Sequence, residues 1–111
     1  MASLDIAVEQ REGQTRVVLD GELDIASAER LERELASIER NSPGTLVLDL
    51  RQVEFIDSTG LRALIAADKR ARSGGRRLAI VAGSNAVERL LSVTKLDQRF
   101  ELVDDPDSLE S

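Results

Sequence analysis

Residues 45–61 read TLVLDLRQVEFIDSTGL, and this stretch decides the fold. Its first part is dense in Leu and Val, which is typical of a strand that is covered on both faces. Asp57-Ser58-Thr59-Gly60 then opens a helix, so two hydroxyls lie at a helix N-terminus, where free backbone N–H groups favour an anion. Because a hydroxyl at that place can carry a phosphate without disrupting its own fold, Ser58 and Thr59 are the first candidate functional residues.

The segments on either side of this stretch predict one mixed β-sheet with helices packed against it. After an N-terminal hairpin, strands alternate with helices, which requires parallel crossovers. The order is therefore β-β-α-β-α-β-α-β, in the α/β class. The predicted elements are a hairpin over 4–20, a helix capped by Ser27, a strand over 45–50, a helix over about 58–73, a strand over 78–81, a helix capped by Ser84 or Asn85, and a short strand over 100–103.

Length and composition predict a single domain over residues 1–111. The chain is 41% hydrophobic and 32% charged, an ordinary globular balance. Phe55 and Phe100 are its only aromatic residues, so the core must be aliphatic. We expect an ordered core over about 4–103, followed by a short, frayed acidic tail over 104–111.

The composition also argues against several classes of function. The chain has no histidine and no cysteine, so a Ser-His-Asp use of Ser58 and a thiolate metal site are not available. The net charge of −6 opposes binding to nucleic acid and to anionic lipid. No apolar run approaches the roughly 18 residues of a membrane span, and the N-terminus lacks a signal-peptide pattern. We expect no cofactor, no metal, no nucleic acid, no membrane insertion and a cytoplasmic location.

The Asp57–Gly60 turn has a purely structural interpretation beside the functional one. A helix cap formed by Asp57 or Ser58, worth about 1 kcal/mol, accounts for one polar residue. It explains two hydroxyls and Gly60 less well, because glycine in a first helical turn costs roughly 1 kcal/mol against alanine. Gly60 indicates that something approaches the backbone closely, and both interpretations stay open.

Three other segments are weaker candidates. Gly21-Glu22-Leu23-Asp24 lies at a strand-to-helix connection, where open α/β sheets place function, but a turn with solvated acids explains it equally well. The basic run over 69–77 complements a helix C-terminus, and the total charge opposes a nucleic-acid patch. Gly83-Ser84-Asn85 lacks the phosphate-loop motifs, so we assign no nucleotide site there.

Taken together, Gly21-Glu22-Leu23-Asp24, residues 46–50 and residues 55–61 resemble the STAS domain family, specifically the anti-sigma factor antagonists of bacteria. The resemblance covers about residues 4–103. It implies an α/β fold in which the helices pack mainly on one face of a small mixed sheet.

The resemblance also implies a partner-switching role without enzymatic activity. The unphosphorylated protein binds an anti-sigma factor, itself a serine kinase, and so frees a sigma factor. Phosphorylation at Ser58, with Thr59 as the runner-up, ends the complex, and a serine phosphatase resets it. The expected partner-binding residues are Gly21, Glu22, Asp24, Asp57, Ser58, Thr59, Gly60, Arg62, Ser84 and Asn85.

Two features differ from the family pattern. Family members usually continue into a C-terminal amphipathic helix, so we expect that helix to be missing or reduced to a turn after Pro106. Arg62 follows the motif where many relatives carry a small residue, and we expect it to tune partner choice or to pair with the phosphate.

The alternative functions are a STAS scaffold or transporter-associated subunit with a non-kinase partner and, from another class, a small hydrolase using Ser58. Monomer and weak dimer are both open.

Overall fold

The computed structural model describes residues 3–11, 13–41 and 44–109. The order of its strands and α-helices confirms the predicted β-β-α-β-α-β-α-β arrangement. The elements are β1 (Leu4–Arg11), β2 (Gln14–Leu23), α1 (Ile25–Asn41), β3 (Thr45–Ile56), α2 (Ser58–Ser73), β4 (Leu78–Val81), α3 (Asn85–Val93) and β5 (Glu101–Val103), with short 3-10 helices at Leu96–Gln98 and Pro106–Leu109.

The five strands form one mixed sheet in the order β1-β2-β3-β4-β5. The hairpin pair β1–β2 is antiparallel, and every later pair is parallel. Because successive strands are added in one direction and parallel crossovers are right-handed, α1, α2 and α3 all lie on the same face. The predicted fold class is confirmed. Within the described part of the chain, no helix has both the length and the apolar content to cross a bilayer.

The main core lies between that face of the sheet and the helices. Leu48 of β3 and Ile80 of β4 pair in register and are fully buried against Leu35 of α1 and Leu64 of α2. The core is aliphatic, as the composition predicts. Alternate residues of β3 point to the opposite face.

The second face of the sheet is partly covered by the end of the chain. Pro106 is buried, and Asp107 lies 2.7 Å from the guanidinium of Arg16, a buried β2 residue that pairs with Val47. Residues 106–109 form a short 3-10 helix, so this part of the predicted tail is not frayed. Residues 110–111 of the predicted tail lie outside the described residues.

Three predicted boundaries were too short or misplaced. β2 runs to Leu23 and β3 to Ile56, because these two ends pair with each other through two register shifts. α1 begins at Ile25, directly after β2, so Ser27 lies inside its first turn and is not the cap. The longer strands carry both candidate motifs to the same edge of the sheet.

Candidate functional site

The Asp57–Gly60 turn begins α2 at the carboxyl end of β3. Asp57 has an extended backbone, and its Oδ1 accepts a hydrogen bond from the N–H of Gly60 at 2.9 Å. Of the two residues that the sequence allows as the cap, Asp57 is the one that caps. The cap is therefore supplied without either hydroxyl.

The two hydroxyls of the turn differ in exposure. Ser58 is the first residue of α2 and is exposed, whereas Thr59 is half-buried. Neither hydroxyl has a hydrogen-bond partner among the described residues. The Ser58 Oγ is thus a free, accessible hydroxyl at the start of a helix.

The close approach that Gly60 indicates is made by the protein's own backbone. The carbonyl oxygen of Leu23 accepts a hydrogen bond from the Asp57 N–H at 3.2 Å. A Cβ atom at Gly60 would lie 2.5 Å from that same oxygen, far inside van der Waals contact. The glycine therefore lets the start of α2 lie against the end of β2, and this contact joins the two candidate motifs.

Gly21 and Glu22 belong to β2 rather than to a loop, and a backbone contact accounts for the glycine. Gly21 has a φ of 122°, and a Cβ there would lie against the carbonyl oxygen of Ser3. The N–H of Glu22 donates to that oxygen at 3.2 Å. Gly21 therefore holds the start of β1 against the end of β2.

Asp24 is the N-cap of α1. Its Oδ1 accepts hydrogen bonds from the N–H groups of Ala26 and Ser27 at 3.0 and 3.1 Å, and the Ser27 Oγ accepts one from the Asp24 N–H at 3.0 Å. This reciprocal pair satisfies the free donors of the first turn. Asp24 therefore stabilises α1 while its half-buried side chain also lies near the surface.

A groove between α1 and α2 lies beside the Asp57–Gly60 turn. Its volume is about 310 Å³. We call it the α1–α2 groove; it is lined by Ile25, Ala28, Glu29, Glu32, Thr59, Arg62 and Ala63. Ile25 is 74% exposed, an unusual position for an isoleucine beside a groove.

Ile25 and Phe55 are exposed apolar residues near the site that were not identified from the sequence. Ile25 lies one helical turn before Ala28, so the sequence pattern places it on the buried apolar face of α1. In the structure the first turn of α1 extends past the edge of the sheet, and Ile25 is left exposed. Phe55 pairs with Glu22 across β2 and β3 and is 48% exposed. No periodicity in the sequence separates these two from core residues.

Ser84 and Asn85 line a different groove on the other side of the β3 end. The Ser84 Oγ accepts a hydrogen bond from the Val87 N–H at 3.2 Å and is the cap of α3, while Asn85 is exposed. This open groove of about 600 Å³ is lined also by Asp20, Arg51, Gln52, Val53, Glu54, Gly83 and Ala86. Of the predicted partner-binding residues, Thr59 and Arg62 thus line the α1–α2 groove, whereas Ser84 and Asn85 line this second groove.

An ion pair between the buried Asp49 and the exposed Arg51 lies on the second face of the sheet, at the edge of that groove. Arg51 donates to both carboxylate oxygens of Asp49, at 2.9 and 2.6 Å. Burial alone raises the pKa of Asp49, but the hydrogen bonds and positive charge of Arg51, with a smaller contribution from Arg16, outweigh it and hold that pKa below its ordinary value. The described residues contain no group of three or more carboxylates placed to hold a metal ion.

Comparisons with known proteins agree with this architecture. The STAS domain family model matches residues 5–109. The anti-sigma-F factor antagonist RsfB of Mycobacterium tuberculosis is 29% identical over 100 residues, covering 90% of this chain and 81% of RsfB. The crystal structure of an anti-sigma factor antagonist from Mycobacterium paratuberculosis has a TM-score of 0.82 at 32% identity, covering 96% of this chain and 90% of that one.

A more distant likeness extends the fold comparison. The Bacillus cell fate determinant SpoIIAA, solved in its phosphorylated form, has a TM-score of 0.74 at 14% identity, covering 96% of this chain and 97% of that one. At this identity the likeness concerns the fold alone. With the family model matching nearly the whole length and a relative above 30% identity, the chain belongs to the STAS domain family.

Proposed function

We propose that this protein is an anti-sigma factor antagonist whose partner binding is switched by phosphorylation of Ser58. The names of the mycobacterial relatives support the antagonist role. The observation that carries the switch is the state of the Ser58 hydroxyl, which is exposed and free because Asp57 supplies the helix cap. In this proposal the unphosphorylated protein binds an anti-sigma factor serine kinase in the cytoplasm and so releases a sigma factor.

The phosphate acts at the interface rather than on the fold. It adds about −1.5 to −2 charges at neutral pH. At the first residue of a helix this charge is tolerated, because the helix dipole favours it by about 0.3–2 kcal/mol. A partner that packs on Ser58 must instead desolvate a doubly charged group, and about 2.8 kcal/mol of lost binding energy reduces affinity a hundredfold.

The proposed partner surface centres on the Asp57–Gly60 turn. Ser58 lies at its centre and the α1–α2 groove, with Ile25 and Arg62, lies on one side. Exposed isoleucine and arginine side chains beside a modification site suit a contact that must form and dissociate, since apolar and guanidinium groups carry much interface energy. Asp24 and Asp57 position this surface through the two helix caps.

The experiment is a phosphorylation assay with purified components. The protein is incubated with ATP and each anti-sigma factor kinase of its source genome, and modified peptides are mapped by mass spectrometry. We expect one phosphate on residues 51–62 in the wild type, none in Ser58→Ala, and full incorporation in Thr59→Val, the matched control. Incorporation that persists in Ser58→Ala and disappears in Thr59→Val assigns the site to Thr59.

Binding measurements complete the test. Ser58→Ala binds the kinase like the wild type, whereas Ser58→Asp binds at least tenfold more weakly and keeps its stability within about 1 kcal/mol. Treatment with a serine phosphatase restores binding to the phosphorylated wild type. Tight binding to a non-kinase partner that is unaffected by Ser58→Asp would instead establish the scaffold role.

A further inference from the structure

Arg62 stands one helical turn after Ser58 on α2. Residues four apart on a helix lie on the same face, with about 5–6 Å between their Cβ atoms. Both side chains are exposed. Thr59 is three residues before Arg62, so either hydroxyl of the turn lies within the same reach.

Arg62 differs from the other arginines of its helix in having no anionic partner. Arg70 lies 2.9 Å from the carboxylate of Glu39, and Arg72 lies 2.9 Å from that of Asp68. For Arg62 the described residues supply neither an ion pair nor a hydrogen bond. Its guanidinium is therefore available to a new anion without breaking an existing contact.

The two acids that line the groove with Arg62 each lie near another arginine. Glu29 of the α1–α2 groove pairs with Arg33 at 3.1 Å, and Glu32 lies 3.7 Å from Arg70. Asp57 is engaged as the helix cap. A phosphate on Ser58 carries a larger charge than any of these carboxylates. Of the residues that the structure describes, Arg62 is the one cation that lines the α1–α2 groove with Glu29, Glu32 and Thr59.

We propose that Arg62 is the internal counter-charge of the phosphate on Ser58, and that pairing with it withdraws the guanidinium from the α1–α2 groove. Phosphorylation then changes the partner surface in two ways at once, since it adds an anion at the turn and removes a cation from the groove beside it. This inference rests on the proposed function for its physiological role, but the pairing itself depends only on the geometry of α2.

The pairing is tested without any kinase. Phosphoserine is incorporated at position 58 during translation, and the phosphate is titrated by ³¹P NMR in the wild type, Arg62→Gln, Arg62→Lys and Lys69→Gln. Lys69→Gln is the matched control, because it removes one exposed positive charge from the same helix, about 16 Å from Ser58 along the helix axis. We expect the second pKa of the phosphate to rise by about 0.3–0.7 in Arg62→Gln, to rise less in Arg62→Lys, and to stay unchanged in Lys69→Gln.

A second measurement tests the effect on the partner. Phosphorylation raises the dissociation constant of the complex with the anti-sigma factor in this proposal. We expect the ratio of the phosphorylated to the unphosphorylated dissociation constant to be about threefold or more smaller in Arg62→Gln than in the wild type. Equal phosphate pKa values in the wild type and Arg62→Gln overturn the pairing, and an unchanged ratio overturns its role in the switch. If no kinase modifies the protein but the pKa of the encoded phosphate still changes in Arg62→Gln, the proposed function is refuted and the pairing is supported.

Discussion

Replacing Gly60 with alanine tests the contact that joins the two motifs of the site. The new Cβ would lie 2.5 Å from the carbonyl oxygen of Leu23 and 2.8 Å from its Cγ. Neither atom is at the end of a flexible side chain that can move aside freely. The start of α2 must therefore move away from β2, which lengthens the 3.2 Å hydrogen bond from the Asp57 N–H to the Leu23 oxygen.

Opposing contributions determine the size of the effect. An extra methyl group in a tight contact costs about 1–3 kcal/mol, and weakening the hydrogen bond costs about 1 kcal/mol more. Alanine is the better helix former and offsets about 1 kcal/mol of this loss. We expect Gly60→Ala to lower the free energy of unfolding by about 1–3 kcal/mol, although propensity alone predicts a gain.

Urea unfolding measures this change. Far-UV circular dichroism is the suitable signal, because the chain contains no Trp and no Tyr. A loss of about 2 kcal/mol lowers the midpoint by roughly 1 M. The matched control is Gly74→Ala at the end of the same helix, where the nearest atom to the new Cβ is the flexible Arg76 Nε at 3.0 Å. A midpoint for Gly60→Ala at or above that of the wild type would refute the reasoning.

Substitutions at three further positions test the cap of α1, the Asp49–Arg51 ion pair and the proposed partner surface. Asp24→Ala removes the cap of α1 and should lower the free energy of unfolding in urea by about 1 kcal/mol, whereas Asp24→Asn should keep most of the stability that the cap provides. Equal midpoints for the wild type and both variants would contradict the capping role of Asp24. The pKa of Asp49 is lower in the folded protein than in the unfolded chain. The Asp49–Arg51 pair therefore contributes its full stabilisation above the pKa of the unfolded state, and this stabilisation is lost as the pH falls through the pKa of the folded state. Asp49→Asn should therefore unfold about 1.5–3 kcal/mol more easily at pH 7 and lose less stability than the wild type as the pH falls below about 4, and identical pH slopes would count against the pair. Ile25→Ser should weaken anti-sigma factor binding about tenfold or more in calorimetry while unfolding within about 0.5 kcal/mol of the wild type, and unchanged affinity would remove Ile25 from the interface.

The order of elements follows from hydrophobic patterning, and α2 and β4 have the predicted bounds. Their ends coincide with strong local signals, a capping aspartate before α2 and a short, wholly apolar run in β4. The ends of β2 and β3 were missed because residues 51–54 are mostly polar and exposed. They belong to a strand only through hydrogen bonds to β2, and side-chain patterning does not report such pairing.

Sequence reasoning about the site was more successful for the turn than for its surroundings. A strand followed by a capped helix predicts two hydroxyls at the start of α2, but it leaves open whether Asp57 or Ser58 is the cap, and the structure assigns the cap to Asp57. The reason for Gly60 could not be predicted, since it depends on the position of the Leu23 carbonyl, which is distant in sequence. The exposure of Ile25 depends on where the sheet ends beneath α1, a property of the assembled fold and not of any local window.

The arrangement of the Asp57–Gly60 turn explains how a modified residue can leave its own fold unchanged. If the Ser58 hydroxyl capped α2, a phosphate would replace the oxygen that accepts the first backbone N–H, and modification would alter the start of the helix together with binding. Asp57 supplies the cap instead, and the Leu23 carbonyl holds the turn against β2. Both supports are independent of the Ser58 side chain, so in the proposed switch the phosphate acts on Arg62 and on the bound partner and leaves the cap of α2 in place. A stiff turn is the feature that such a switch requires, because a flexible one would lose part of the effect on the partner by moving the charge away from the interface.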